Sequence, residues 1–209
     1  MEICGNPRSL TEGSTAEPAA CYTAAMRELL DADSVSRGLR RVAGEIVERA
    51  RGVEGLVLVG VRRGGIPVAR ELARWLKELE GHDIPVGSVD ITLYRDDAAT
   101  ALPNPRIGPS EIPCALEGRH VVLVDDVVFT GRTVRAAIDA LMDYGRPRRI
   151  ELAAVVDRGG RELPMQPDYV VKTLEVGRDT RVDVIEDGAG LHAFVQPMSA
   201  PSVPPGEST

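Results

Sequence analysis

Cysteine is scarce in this chain: Cys4, Cys21 and Cys114 are the three among 209 residues. Their spacing matches no metal site and their odd number argues against a disulfide framework, so a reducing cytoplasm is the expected compartment. Long hydrophobic runs are missing. No apolar stretch approaches the ~20 residues of a membrane helix, and the opening MEICGNPRSLTEGS carries no signal-peptide core; no membrane partner is expected. Histidine is rare, and His82, His120 and His192 are scattered, so none is assigned a catalytic role. Basic charge is in deficit. Lys and Arg number 25 against 32 Asp and Glu, and the net charge of −7 argues against general nucleic-acid binding while leaving room for a local basic face. What remains is ordinary for a soluble domain: 43% hydrophobic and 27% charged residues, with no internal repeat and enough chain for one sizeable core.

Residues 1–26 show no sustained periodicity and 196–209 are rich in proline and serine. They are expected to be a mobile extension and a disordered tail around a domain spanning 27–195. Inside it, 27–30 reads as a short strand and 31–34 as an acidic cap. A helix follows, with Val35, Leu39, Val42, Ile46 and Val47 on one face and Gly52 at its end. LVLVG at 56–60 is apolar throughout, as a central parallel strand covered on both faces should be. The next helix has Pro67 in its first turn and Leu72, Trp75, Leu76 and Leu79 inside. Further strands are expected at 86–94, 120–124, 150–157, 169–174 and 182–185. Strands alternating with helices predict an α/β fold, a doubly wound, mostly parallel sheet flanked by helices, with ligands at the carboxyl ends of the strands.

The run HVVLVDDVVFTGRT at 120–133 carries the most chemistry. A buried strand ends in Asp125 and Asp126, a small-residue turn follows, and a helix begins near Val134. Backbone N–H groups of Thr130, Gly131, Arg132 and Thr133 would face an anion where that helix starts. The two carboxylates, one step back, are placed to accept hydrogen bonds from ribose hydroxyls. A solvated strand end is the plainer reading of an isolated Asp-Asp, but the whole pattern resembles the 5-phosphoribosyl-1-pyrophosphate (PRPP) loop of type I phosphoribosyltransferases.

Three further segments belong to the same expected pocket. Arg62, Arg63, Gly64 and Gly65 form a basic turn before a helix, suited to pyrophosphate or else an ordinary strand–helix connection. Residues 95–113 form a long proline-rich connection, either a water-excluding lid or plain disorder. Around 155–172, Asp157, Arg158 and Arg161 end a strand and Tyr169 offers a flat ring. That segment either walls a planar base or is core with solvated charges. The Arg146, Arg148 and Arg149 cluster is expected to offset the dipole of the preceding helix.

SVDITLYRDD at 88–97, LVDDVVFTGRTVRAAIDALMDYGRP at 123–147 and VVDRGGRELPMQPDYVVK at 155–172 together resemble the PyrR family. These are bifunctional pyrimidine operon regulators with uracil phosphoribosyltransferase activity. The resemblance runs from about 27 to 184 and implies a domain with a small hood and a flexible lid loop. It implies the reaction of uracil and PRPP to UMP and pyrophosphate with Mg²⁺, and a homodimer or higher homo-oligomer. Carried over by position, Asp125 and Asp126 would hold the ribose and its metal, with Tyr94 and Arg95 opening the catalytic lid. Val127, Phe129, Thr130, Gly131, Arg132 and Thr133 would line the 5′-phosphate, and Arg62, Arg63, Gly64 and Gly65 the pyrophosphate. Asp157, Arg158, Tyr169 and Val170 would meet the base.

The family's second activity, transcription attenuation through the leader RNA of the pyrimidine operon, would use Arg40, Arg49, Arg161 and Lys172. The chain departs from the RNA-binding members at Gly44 and Gly160, where they carry histidine, and at Gln166, where they carry arginine. The usual Thr-Arg-Gly of the pyrophosphate turn is Arg63-Gly64-Gly65, and the usual Pro-Thr-Ser near the base is Glu175-Val176-Gly177. A purine-base phosphoribosyltransferase, and a non-catalytic regulator that senses PRPP or UMP and binds RNA, are the competing readings.

Overall fold

The computed structural model describes residues 26–96 and 108–198. Its first strand, β1 (Arg27–Leu30), leads into α1 (Ala32–Ala50). Asp31 starts that helix: its carboxylate accepts the Ser34 amide at 2.8 Å, satisfying one of the N–H groups that a first turn leaves without a partner. Arg51, in the left-handed region at φ 59°, ends it. Then come β2 (Leu56–Val61), α2 (Gly65–Glu80), β3 (Val86–Val89) and β4 (His120–Val128). They are followed by α3 (Arg132–Met142), β5 (Arg149–Asp157), β6 (Tyr169–Thr173), β7 (Thr180–Asp187) and β8 (Gly190–Pro197).

Five strands form a parallel sheet in the order β3-β2-β4-β5-β6. Alternate side chains of a strand point to opposite faces, so β2 and β4 feed two cores. Leu56, Leu58, Val122 and Val124 pack with Leu39 and Ile46 of α1 and Leu72 and Leu76 of α2. Val57, Val59, Val121 and Leu123 pack with Val134, Ala137 and Leu141 of α3. Cover on both faces is why these strands read as unbroken apolar runs. The doubly wound parallel sheet expected from the alternation is present.

A second, antiparallel sheet in the order β1-β8-β7 joins the two ends of the described chain. It supplies the small hood. Its strand β8 had no counterpart among the expected elements. The tail expected from residue 196 starts later, because β8 runs to Pro197 and Gln196 is buried, its amide donating to Asp183 at 2.5 Å.

Two other boundaries move. The strand expected over 86–94 stops at Val89, because the Asp90 carboxylate turns the chain by accepting the amides of Thr92 and Gly108 at 2.8 and 2.7 Å. The strand expected to end at Val124 continues to Val128, since β5 pairs beside it as far as Asp157. Residues 1–25, 97–107 and 199–209, which hold most of the expected extension, lid and tail, lie outside the described residues.

Candidate functional site

The chain leaves β2 towards β3 on one side and returns to β4 on the other, so β2 and β4 flank the topological switch point. The turns after their carboxyl ends open into one crevice, and glycine brings them together. A Cβ on Gly64 would lie 2.2 Å from Asp126 Oδ2, and one on Gly65 would lie 2.2 Å from the Val124 carbonyl. No side chain fits at either place, so the 62–65 turn can rest against the acidic pair only as glycine. The Arg62–Arg63 peptide bond is cis.

Asp125 is buried and Asp126 half-buried. Burial raises the Asp125 carboxyl well above the ordinary carboxylate range, and the charge of Asp126 adds to it. Burial raises Asp126 as well. The Asp126 amide donates to Asp125 Oδ1 at 3.0 Å and the Val127 amide to Asp126 Oδ1 at 2.8 Å, which fixes both carboxylates in place. Two acids confined this way are relieved by a cation or by hydroxyl donors. Among the described residues no cluster of three or more His, Cys, Asp or Glu is present. A divalent ion here would therefore draw its remaining oxygens from substrate and water, which is the manner in which Mg²⁺ is commonly held. The donor set fits that ion.

The turn after β4 has its carbonyls occupied from one side. Val128 O accepts the Arg158 amide at 3.1 Å, and Thr130 O accepts the amides of Glu162 and Leu163 at 2.9 and 3.0 Å. Phe129 O accepts Arg161 Nη1 at 2.7 Å. Gly131, at φ 88°, then starts α3 with no side-chain cap bond. The Arg132 amide donates to the Thr130 hydroxyl oxygen at 3.3 Å, while the next first-turn amides of α3 have no carbonyl one turn back and can meet an anion together with the Thr133 hydroxyl. Arg132 points outward to Asp96 and to Glu162, the latter at 2.8 Å. Glu162 thus ties the turn to the 158–168 segment twice, by its amide and by its carboxylate. Nothing in the sequence pattern singles it out.

Beside the Gly64 turn, Arg62, Arg63, Asp90, Arg95 and Gly108 surround a cleft of about 290 Å³. Three guanidinium groups against one carboxylate make it receptive to a polyanion. Arg62 lies 3.8 Å from Glu111 and keeps a buried Nε without a hydrogen-bond partner. Asp90 is the residue that sequence reasoning missed here. It joins both roots of the 91–107 connection, and its carboxyl lies below the ordinary range; desolvation opposes that shift, and the amides of Thr92 and Gly108 outweigh it.

On the expected base side, Arg158 is buried, stacks 3.9 Å over the Phe129 ring and donates to Gly177 O at 3.0 Å. Asp157 accepts the Gly159 amide at 3.0 Å and is ion-paired with Arg161, whose Nη2 lies 2.8 Å away. No side chain has room at position 160: Gly160 sits at φ 73° and a Cβ would lie 2.4 Å from Phe129.

Several expected roles do not survive. Tyr169 lies in the core at the start of β6, its hydroxyl donating to Glu151 at 3.0 Å, far from the carboxyl edge, so it walls no base. Val170 spends its carbonyl on Arg41 Nη2 at 2.8 Å. Tyr94 sends its hydroxyl to Asp143 at the distal end of α3 and so anchors the root of the connection. Arg161 is largely buried, donating to the carbonyls of Met165, Val128, Phe129 and Gly159 and lying 2.8 Å from Asp157, so its guanidinium is spent within the protein. Arg49 lies over the Tyr169 ring at 4.8 Å and beside Asp168 at 3.4 Å. Arg40 lies over Trp75, which is half-buried and not in the core as expected. Lys172 is exposed.

Residues 26–190 match the phosphoribosyl transferase domain family. The bifunctional protein PyrR of Geobacter sulfurreducens is 53% identical over 161 residues, 77% of this chain and 91% of that one. Bifunctional protein PyrR 1 of Lactiplantibacillus plantarum is 52% identical over 76% of this chain and 89% of its own length. Among solved structures, the hypoxanthine phosphoribosyltransferase of Trypanosoma cruzi has a TM-score of 0.60 at 19% identity, covering 82% of this chain and 97% of that one. A hypoxanthine-guanine phosphoribosyltransferase of Bacillus anthracis gives 0.60 at 16% identity, over 79% and 96%. At those identities the two structures speak for the fold alone.

Proposed function

This chain belongs to the PyrR family of phosphoribosyltransferases, and on that premise we propose that it converts uracil and PRPP to UMP and pyrophosphate in the cytoplasm. We further propose that it regulates pyrimidine operon transcription through leader RNA, and works as a homodimer or larger assembly. The observation that carries the catalytic reading is the contact of Gly64 with Asp126. It supports reading 62–65 as the pyrophosphate turn and Asp126 as a ribose carboxylate, with the N-terminus of α3 following the same strand.

The α3 amides and the hydroxyls of Thr130 and Thr133 hold the 5′-phosphate. Asp125 and Asp126 accept from the ribose hydroxyls and fix the sugar's orientation. Arg62, Arg63 and Arg95 face the pyrophosphate, while Phe129, Arg158 and the main chain near Gly177 border the base. The bond from ribose C1′ to the pyrophosphate oxygen breaks, uracil N1 forms the new bond to C1′, and the N1 proton passes to the departing pyrophosphate. Negative charge gathers on the departing pyrophosphate, where the arginines lower the barrier, and no protein nucleophile is required. Mg²⁺ bound at Asp125 and Asp126 would offset further charge on the pyrophosphate and ribose oxygens.

Incubation of the full chain with PRPP, Mg²⁺ and each free base tests the reading. Uracil is expected to give UMP faster than hypoxanthine or guanine give their nucleotides. Faster purine turnover would make it a purine enzyme, and PRPP binding without turnover of any base would make it a non-catalytic regulator.

A further inference from the structure

Asp90, the first residue past β3, stands on the wall of the arginine-lined cleft. An acid there repels a polyanion, so its presence calls for another task. Its Oδ1 accepts the Thr92 amide at 2.8 Å, and its Oδ2 accepts the Gly108 amide at 2.7 Å. Its own amide donates to the Ser110 hydroxyl oxygen at 2.9 Å. Just upstream, Ser88 and Glu111 exchange two main-chain hydrogen bonds of 2.8 Å. One carboxylate thus clamps the outgoing and the returning arm of the 91–107 connection at the carboxyl edge of the sheet.

Gly108, placed by that clamp, is the surface on which Arg62 rests. A Cβ on Gly108 would lie 2.3 Å from Arg62 Nη1 and 3.0 Å from Asp90 Oδ2, so the guanidinium lies against a bare Cα that only glycine supplies. The Arg62 amide donates to Val89 O at 2.9 Å. Main chain and side chain of this arginine are therefore both set by residues flanking or bonded to Asp90. Its charge acts on Asp90, yet among the described residues no hydrogen bond joins the two side chains.

The donors of Arg62 are left for a guest. Its Nη2 lies 3.8 Å from the exposed Glu111 carboxylate, and its Nε is buried without a partner. A buried donor without an acceptor is destabilising, which weighs against a purely structural role for this arginine. A carboxylate that served only to neutralise Arg62 would hydrogen-bond to it. Asp90 instead gives both oxygens to main-chain amides and acts on the arginine through Gly108. Packing then fixes the guanidinium before the anion arrives, which lowers the ordering cost of binding.

We propose that Asp90 is a positioning residue for the leaving group: it holds Gly108 against Arg62 so that the guanidinium donors meet pyrophosphate. The inference deepens the catalytic half of the function proposed above and rests on it. Asp90 moves no proton and gives the anion no hydrogen bond; its effect reaches pyrophosphate only through Arg62.

The test is calorimetric titration of the full chain with pyrophosphate in the presence of Mg²⁺, beside steady-state rates with PRPP and uracil. Asp90→Asn sets an amide donor where an acceptor stood, and should weaken pyrophosphate binding roughly tenfold, as when one charge-assisted contact is lost. Gly108→Ala displaces the guanidinium while leaving the acid in place, and should cause a loss of the same size; it carries the test if Asp90→Asn fails to fold. In an Arg62→Ala background, where Arg63 and Arg95 still line the cleft, neither substitution should weaken binding further, because both act through Arg62. KM for uracil should stay at its wild-type value while kcat/KM for PRPP falls. The proposal is overturned if the single variants bind pyrophosphate like wild type, or if they lose as much without Arg62 as with it. Wild-type protein that binds no pyrophosphate overturns it too, whereas wild-type protein that binds pyrophosphate and forms no UMP defeats the catalytic reading alone.

Discussion

Asp125 shows how a single residue can trade stability for chemistry. Its carboxyl is raised in the folded chain by burial and by the Asp126 charge, so the folded state binds that proton more tightly than the unfolded one, whose value is about 3.9. The sign follows: stability falls as pH rises from there through the folded pKa, and near neutrality the unliganded protein carries the cost. Asp125→Asn does not titrate. It is expected to flatten that part of the pH–stability curve and to melt a few degrees above wild type at pH 7 without ligand. It should also lose on the order of 100-fold in kcat/KM for PRPP, like the loss of one transition-state electrostatic contact. Melting curves from pH 4 to 8 with steady-state rates check both halves, and a variant melting no higher than wild type at pH 7 would contradict the burial argument. At this scale the meeting of the two turns was foreshadowed by their glycines and by the acidic pair in its strand-to-helix context, where the whole pattern and no single residue carried the signal. Tyr169 and Arg161 were not, since a flat ring or a cation looks the same in sequence whether it faces a ligand or a buried acceptor.

Among the elements, the hood sheet depends on His192 of β8. Its Nδ1 lies 2.8 Å from Glu28 on β1, and its Nε2 lies 3.3 Å from Asp187 at the β7–β8 turn. The Glu28 hydrogen bond, and then the Asp187 charge, raise its pKa in the folded chain, while Asp31 at the α1 cap also senses its charge. A raised histidine contributes stability that is fully present below about 6.5, its unfolded value, and is lost as pH rises through the folded one. His192→Gln should therefore lower the melting temperature at pH 5.5 but leave it near wild type at pH 8.5. Equal losses at both pH values would mean that packing beside Phe194, not charge, matters there. The parallel strands were readable as elements from their apolar runs. β8 was not, because LHAFVQ mixes apolar and polar residues in a strand whose partners, β1 and β7, come from both ends of the domain.

For the whole molecule, the arrangement predicts that ligand binding and stability are linked across both turns. PRPP with Mg²⁺ should engage the α3 N-terminus, the acid pair and the 62–65 turn at once, adding about 2.7 kcal/mol to stability at 100 times Kd. Calorimetric melts with PRPP alone, Mg²⁺ alone and both together check this. The pair together should exceed the sum of the separate shifts, and simple additivity would mean that the metal and PRPP do not share Asp125 and Asp126. The sequence by itself determined the alternation of strands and helices, the two glycine-bearing strand-to-helix turns and the family, since each is written in contiguous residues through local periodicity and spacing. Tertiary structure alone decided that Gly64 rests on Asp126 and that Arg158 stacks on Phe129. Those facts depend on strand order, which brings residues distant along the chain to one place and leaves no mark in their local pattern.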